Sequence, residues 1–507
     1  MKPLLKRKLP RALANTARVA IVFIATLVFI PLESHAQLPS LGDGGEFELG
    51  AERRLGERIA RELYRDPDYL DDPVIGDYVQ GIWQPLLTAA RQRGDLAVDI
   101  DRRFAWQILL GKDRSINAFA LPGGYLGLHL GLVGAVANRD ELASVLAHEL
   151  SHVTQRHISR LISQQNRQTP WVMGALILGA LAASKNPEAT NAIIAGSQAA
   201  AAQAQLNFSR DMEREADRIG FGVMTQAGFD PQGFVTMFDK LQQASRLNDN
   251  GAFPYLRTHP MTTERIADMQ ARQQMTGVRV AAALTAEHAM VSARARVLSG
   301  TGPDALRARV AEAEAPNIAS LPAARQAGLH YGAAIASIKL RDPASAARHA
   351  QRVRELVVSE PIAEMLARLL VAEVALEAGE PQRAVALLSV QSRTRAEVLL
   401  ACQALVAAGQ PREAAERLQT WVALHPVDAT AWEHLSAAWS LLGQPLRAIR
   451  ADAEAHVARL DLSAALDRLK AAQEMARRAG SDHVEASIID TRARRVESLL
   501  REQAVER

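Results

Sequence analysis

The sequence predicts a mainly α-helical fold in which a domain with a small β-sheet is followed by a domain of helical repeats. Apolar residues recur at helical spacing along most of the 507 residues. Two stretches, 103–110 and 118–130, instead look like strands. In the second half, similar Gly-x-Pro turns recur between Ala-rich helices. This length predicts at least two domains, and we place the first at residues 37–300 and the second at residues 301–507.

Residues 1–36 are predicted to be a cleaved secretory signal. A basic start precedes the apolar run 19–30, and small residues at Ser34 and Ala36 predict cleavage after Ala36. The alternative is an uncleaved anchor, although the apolar run is short for a membrane span. The single cysteine, Cys402, is far from this site, so the sequence predicts neither a lipid anchor on cysteine nor an internal disulfide. These features favour the bacterial periplasm.

The net charge gives no support for nucleic-acid binding. Residues 1–36 hold six basic residues and one acidic residue, whereas the whole chain has a net charge of +3. The remainder therefore carries about −2, and we expect no nucleic-acid partner.

The stretch 146–152, Leu-Ala-His-Glu-Leu-Ser-His, contains an H-E-x-x-H motif. The apolar spacing around it predicts one helix from Glu141 to His157. His148 and His152 are four residues apart, so both imidazoles leave the same helix face and can bind one zinc ion. Glu149 can then act as the general base on water. The alternative is a helix that holds these residues by chance.

A catalytic zinc site requires a third protein ligand, and the segment 208–217 offers two candidates, Glu213 and Glu215. Helical spacing places Glu213 and Asp217 on one face. Glu213 could then bind the metal while Asp217 supports a ligand histidine. On its own, such a charged segment would more often be a solvated helix face.

H-E-x-x-H followed by S-R-x-x-E-x-x-A-D resembles the family-48 zinc metallopeptidases. In that pattern the ligand is the glutamate four residues before the aspartate, which here is Glu213. The segment 116–125, the triplet 258–260 and Arg265 with the following isoleucine are also similar to the family. The resemblance implies a zincin-type domain of the H-E-x-x-H plus Glu type with one zinc ion per subunit.

The signal and the repeats narrow the resemblance to exported members of the family. It implies an endopeptidase that degrades misfolded or stalled outer-membrane proteins and aids their assembly. It also implies contact with the β-barrel assembly machinery through the repeat domain. Two alternatives remain: a chaperone-like binding protein with a locked or vestigial metal site, and a membrane-embedded processing peptidase.

His259 is predicted to lie on a loop near the metal. It could fill the fourth position and keep the enzyme latent, or it could stabilise the oxyanion of the tetrahedral intermediate. A purely structural role is the third alternative. Arg265 is a further candidate for the surroundings of this site.

The predicted strands would form a small sheet whose edge lies along the cleft and binds an extended peptide. The segment 171–204 is apolar and then Ala-rich. We predict a buried helical hairpin there, with peripheral membrane contact as the alternative.

Gly379, Gly409 and Gly443 are spaced by 30 and 34 residues, and each is followed two residues later by proline. The second spacing is typical of tetratricopeptide repeats, which stack into a solenoid that binds proteins. Asp342-Pro343 is predicted to begin an earlier, degenerate copy. The alternative is a generic helical bundle.

Overall fold

The computed structural model describes residues 48–164, 210–246, 253–275, 284–300, 302–389, 391–479 and 483–505. The predicted signal with its cleavage site and the segment 171–204 lie outside the described residues. No helix within the described ranges combines the length and the apolar character that a membrane span requires.

The first part of the fold is a small mixed sheet next to two long helices. Its elements are α1 (Leu49–Arg65), β1 (Tyr69–Leu70), α2 (Pro73–Arg93), α3 (Val98–Arg103), β2 (Gln107–Gly111), β3 (Ala118–Leu121) and β4 (Tyr125–His129). The strand order is β1-β2-β4-β3. β2 and β4 are parallel, while β1 and β3 pair with their neighbours in antiparallel fashion. β3 is therefore an edge strand of the sheet that the described residues form.

Both stretches that were predicted to be strands contain strands, but the predicted strand bounds are wrong. Residues 98–103 are helical, so the first strand begins only at Gln107. The stretch 118–130 is a hairpin, because a 3-10 turn at Pro122–Gly124 separates β3 from β4. Gly123 has a φ of 72°, and a Cβ there would lie 2.7 Å from the Cα of Arg53. Only glycine fits that turn.

Seven described helices complete the part of the fold that surrounds the metal-ligand candidates. They are α4 (Leu130–Ala135), α5 (Arg139–Thr154), α6 (His157–Gln164), α7 (Arg210–Gln226), α8 (Gln232–Arg246), α9 (Tyr255–Thr258) and α10 (Thr263–Met275). The Asn138 side chain accepts a hydrogen bond from the Glu141 backbone N–H and caps α5. Every residue from Glu141 to Thr154 is buried. α5 is thus a central helix, packed against β3, α2, α7 and α8.

α5 is shorter than the sequence predicts. It ends at Thr154, and His157 begins the next helix instead of closing this one. Arg156 lies between them in the left-handed region, with a φ of 54°. Its guanidinium donates hydrogen bonds to Glu52 and Ser159, which hold this conformation. Apolar spacing cannot reveal such a stop, because the apolar residues continue into α6.

The C-terminal half is helical throughout its described parts. Its helices are α11 (Ala286–Leu298), α12 (Pro303–Ala313), α13 (Ala323–Lys339), α14 (Pro343–Leu356), α15 (Pro361–Glu377), α16 (Pro381–Leu387), α17 (Arg395–Ala407), α18 (Pro411–Leu424), α19 (Ala429–Leu441), α20 (Pro445–Ala458), α21 (Leu462–Ala479) and α22 (His483–Val505). The predicted fold class, mainly α with a small sheet and a helical C-terminal region, is confirmed. The assignment of these helices to tetratricopeptide repeats stays a prediction.

The hydrophobic core does not stop at the predicted domain boundary. One cluster of buried residues extends from Val74 in α2 to Ala404 in α17. The buried Arg294 of α11 forms ion pairs with the buried Asp72 on one side and the half-buried Glu373 of α15 on the other. The boundary at residue 300 stays a prediction about sequence organisation, since the packing across it is continuous.

Candidate metal centre

His148 and His152 project from one face of α5 into the protein interior. Both side chains are buried, and their Nε2 atoms are 3.0 Å apart. The helical spacing explains this approach, because residues i and i+4 are neighbours along a helix. Two imidazole nitrogens with lone pairs directed at one point form half of a metal site.

Glu213 reaches the same point from α7. Its Oε2 is 3.5 Å from His148 Nε2, and its Oε1 is 3.4 Å from His152 Nε2. α7 can approach α5 closely because Gly220 has no side chain: a Cβ there would lie 3.1 Å from the Ala147 backbone. The sequence leaves Glu213 and Glu215 as alternatives, and the structure brings Glu213 into the cluster.

His259 also enters this cluster. It follows α9 as its C-cap residue and is almost fully buried. Its Nδ1 lies 3.0 Å from Glu213 Oε1 and 3.3 Å from His148 Nε2. The Tyr255 ring stacks on the imidazole with centroids 4.5 Å apart and planes inclined by 25°. The sequence predicts a loop histidine near the metal, and the structure places it among the candidate ligands.

One ligand atom from each of His148, His152, Glu213 and His259 lies within 4.8 Å of the other three. This is the only such group of three or more His, Cys, Asp or Glu side chains among the described residues. The contacts within the group are 3.0–3.5 Å. Ligands about 2.0–2.2 Å from a tetrahedral zinc ion are roughly 3.3–3.5 Å apart. The donor types and their spacing therefore fit zinc.

The electrostatics also fit a cation at this point. Burial opposes a charge on His148, yet the hydrogen bonds to Asp217 and Glu213 raise its pKa to about 9. Burial lowers the pKa of His152 well below 6.5, which keeps that imidazole neutral and able to coordinate. The buried carboxylates thus favour a positive charge where the ligand atoms meet.

Asp217 and Arg265 support the ligands from behind. Asp217 Oδ1 lies 2.9 Å from His148 Nδ1, on the side of the ring that faces away from the cluster. The Arg265 guanidinium donates to both Asp217 oxygens at 2.6 and 2.8 Å and lies 2.8 Å from Glu213 Oε2. Arg265 therefore orients two carboxylates at once. The structure brings both sequence-predicted residues to the site.

Glu149 is placed as a base beside the cluster. Its Oε2 accepts a 2.8 Å hydrogen bond from the backbone N–H of Ala120 in β3. Its Oε1 makes no hydrogen bond with the residues that the structure describes and lies 3.5 Å from His259 Nε2. Burial raises the pKa of this carboxyl, so it holds a proton more readily than an exposed glutamate does.

Sequence reasoning missed the surroundings of His152. His157 is fully buried, and its Nδ1 lies 2.8 Å from His152 Nδ1. Its Nε2 lies 3.1 Å from Glu215 Oε2, and Arg160 also donates to that oxygen at 2.9 Å. In one continuous helix, residues 152 and 157 would lie on different faces. Their contact depends on the end of α5, which the spacing does not show.

Comparison with known protein families matches residues 91–273 to Peptidase family M48. This range contains every candidate ligand, Glu149, Asp217 and Arg265. The shared segment is therefore the part of the chain that builds the cluster.

Three relatives illustrate the extent of the similarity. The beta-barrel assembly-enhancing protease of Escherichia coli is 33% identical over 246 residues, which cover 47% of this chain and 48% of that protein. A Vibrio cholerae protein assigned provisionally to the same kind of protease is 34% identical over 315 residues, 60% of each chain. The mitochondrial metalloendopeptidase OMA1 of Schizosaccharomyces pombe is 31% identical over 252 residues, 49% of this chain and 67% of that protein. The match thus spans about half to 60% of these bacterial relatives.

Proposed function

Because the chain belongs to peptidase family M48, we propose that it is a zinc-dependent endopeptidase of the bacterial periplasm. One observation carries this proposal. His148, His152 and Glu213 converge at one buried point, and beside them Glu149 presents a carboxylate oxygen that makes no hydrogen bond within the described ranges. Three such ligands with an adjacent carboxylate are what metal-assisted peptide hydrolysis requires.

The chain's own residues divide the chemistry between them. A bound zinc ion supplies Lewis acidity, which polarises a carbonyl and acidifies water. Glu149 takes the proton from the attacking water through Oε1 and later delivers it to the leaving amine nitrogen. The Ala120 N–H holds Oε2 and so fixes the direction of Oε1. Burial excludes competing solvent from this carboxylate.

β3 is positioned to bind the substrate backbone. In the part of the chain that the structure describes, β3 pairs only with β4. The Ala120 N–H contacts Glu149, so the outer edge of β3 faces the base. An extended peptide added to this edge would be held by backbone hydrogen bonds beside Glu149. Recognition of this kind suits an enzyme that accepts many unfolded sequences.

His259 favours a second candidate function, a chaperone-like binding protein with a locked site. Its Nδ1 contacts Glu213 and His148 in the position of a fourth ligand. A fourth imidazole excludes the water that a three-ligand site would bind. If His259 can be displaced, the site opens and the protein is a latent protease, which is the function we propose. If His259 locks the site permanently, the protein is the chaperone-like alternative.

The proposed substrates and compartment rest on sequence and on relatives. Bacterial relatives are named for the assembly of β-barrels. The predicted signal at 1–36 supports export to the periplasm. Misfolded or stalled outer-membrane proteins are the substrates that agree with both. Docking to the β-barrel assembly machinery through the C-terminal helices is part of the same proposal. Peripheral membrane contact by 171–204 stays the alternative to a buried hairpin.

Glu149→Gln tests the proposal. Loss of the proton acceptor should lower the rate of casein cleavage by about a hundredfold or more, with zinc content unchanged. Glu141→Gln is the matched control, since Glu141 is a buried carboxylate of the same helix two turns earlier, bonded to Ala137 and Lys240. It should keep the cleavage rate. Equal activity of Glu149→Gln and wild type at equal zinc content would rule out the assignment.

A further inference from the structure

We infer that His157 and Glu215 are positioning residues that orient the ligand His152, an inference that rests on the proposed zinc-dependent function. The contacts form one chain from the metal cluster to the protein surface. His152 Nδ1 lies 2.8 Å from His157 Nδ1, His157 Nε2 lies 3.1 Å from Glu215 Oε2, and Arg160 donates to the same oxygen.

Only one proton arrangement satisfies every contact in this chain. His152 must present an unprotonated Nε2 to a metal, so its proton is on Nδ1. His157 Nδ1 must then accept that proton's hydrogen bond, which places the His157 proton on Nε2. That N–H donates to Glu215, an acceptor that Arg160 also engages. The chain therefore selects the His152 tautomer that can bind zinc.

The backbone conformation of the turn after α5 brings His157 into contact with His152. Arg156 takes a left-handed φ of 54°, which is unfavourable for a residue with a side chain. Glu52 and Ser159 hold its guanidinium. The reversal returns His157 beneath His152, where it is fully buried. The strained backbone of Arg156 thus has a structural reason, because it places His157 against His152.

The two motif histidines are supported by different means from the same helix. Asp217 contacts His148 directly, whereas Glu215 acts on His152 through an intervening imidazole. Glu213 of the same helix contributes a candidate ligand atom. α7 thus supplies three carboxylates: Glu213 to the cluster, Asp217 to the support of His148 and Glu215 to the support of His152. Glu215, which the sequence offers as an alternative ligand, has a role one step outside the metal.

Zinc affinity provides a readout that does not depend on catalysis. The full-length protein would carry Glu149→Gln to prevent self-cleavage, and zinc affinity would be measured by competition with a chromophoric chelator. We expect His157→Phe to weaken zinc binding by about 10- to 100-fold, because the ring fills the space without accepting from His152. His157→Asn keeps an acceptor near the position of Nδ1, so it should restore affinity to within a few fold of the background.

Glu215→Ala provides a second test at a site whose side chain is 32% exposed, so that folding is not at risk. It should weaken zinc binding in the same direction as His157→Phe but less. Arg214→Ala is the matched control, because Arg214 is the neighbouring residue of α7 and, among the described residues, forms only exposed ion pairs with Asp211 and Glu264. It should leave the affinity unchanged.

Different failures have different meanings in this experiment. A background protein that binds no zinc would overturn the proposed function and this inference together. Normal zinc binding in that protein, unchanged by His157→Phe and Glu215→Ala, would overturn the inference alone. So would His157→Asn binding zinc as weakly as His157→Phe, since that result would assign His157 a packing role only. Thermal unfolding of the metal-free variants checks that each one is folded.

Discussion

At the scale of single residues, the position of His259 decides how the centre can work. The imidazole contacts candidate ligands through Nδ1 and approaches the base Glu149 through Nε2 at 3.5 Å. Tyr255 stacks on its ring and holds the orientation. One side chain therefore touches both the metal cluster and the proton acceptor. Its removal would change both.

His259→Ala should raise the rate of proteolysis, including self-cleavage, if His259 keeps the site latent. The reason is that a vacated fourth position admits water beside Glu149. Initial rates on an unfolded substrate, compared at matched zinc content, measure the effect. An oxyanion role predicts the opposite sign, with a loss of about a hundredfold or more. A variant slower than wild type at equal zinc content would therefore end the latency hypothesis.

The site was predictable from sequence where local spacing determines the geometry. His148, Glu149 and His152 follow from helical periodicity, and Asp217 follows from its spacing to Glu213. The choice of Glu213 over Glu215 needed the family pattern, because both lie on the same helix. His157 was not predictable as a partner of His152, since their contact requires a helix to end between them.

At the scale of elements, the three recurring Gly-x-Pro turns share one backbone conformation. Gly379, Gly409 and Gly443 have φ values of 77°, 79° and 66°, and a proline opens the next helix after each of them. The recurring turns predicted from sequence are thus helix ends followed by helix starts. Pro343 likewise begins a helix, with Asp342 as its N-cap, and Arg341 occupies the left-handed position with a φ of 61°. That this helix belongs to an earlier repeat copy stays a prediction.

Leu460 marks a further turn that the glycine pattern does not show. It also adopts a left-handed φ, of 61°, and α21 begins two residues later. The backbone carbonyl of Leu460 accepts a 2.7 Å hydrogen bond from Arg61 of α1. A turn held by tertiary contacts does not require glycine, so its position is not visible in the sequence.

The same substitution, glycine to alanine, should have opposite effects at two positions. Gly409→Ala should lower the free energy of unfolding by roughly 1 kcal/mol, because the left-handed φ penalises a Cβ although the space around it is open. Gly76→Ala, inside α2, should raise it by about 0.5–1 kcal/mol, since of the described residues a Cβ there meets only Arg395, at 4.0 Å. Urea unfolding of both variants measures the difference. Equal signs would contradict the assignment of the Gly409 turn.

At the scale of the whole molecule, the C-terminal helices are attached to the start of the described chain. Arg395 of α17 forms bidentate contacts with Asp71, just after β1, and with Asp428, the N-cap of α19. The Ala396 N–H donates to Asp77 of α2, and Thr430 donates to Asp71. One guanidinium thus connects the region beside the sheet to α17 and to the N-terminus of α19. Composition and turn spacing cannot predict the contacts with Asp71 and Asp77, because these join residues more than 300 positions apart.

Arg395→Met should loosen this attachment without affecting the metal cluster. The substitution leaves the carboxylates of Asp71 and Asp428 partly buried beside each other without their cation, which should cost roughly 3 kcal/mol. We therefore expect faster amide hydrogen exchange in α17 and α19, while amides of α5 and the rate of short-peptide hydrolysis stay unchanged. If the C-terminal helices present unfolded proteins to the active site, cleavage of a large unfolded substrate should fall.

Arg383→Met is the control, because its ion pair with Glu380 is exposed and contributes at most about 0.5 kcal/mol. Equal exchange rates in the two variants would show that the Arg395 contacts do not hold the helices in place.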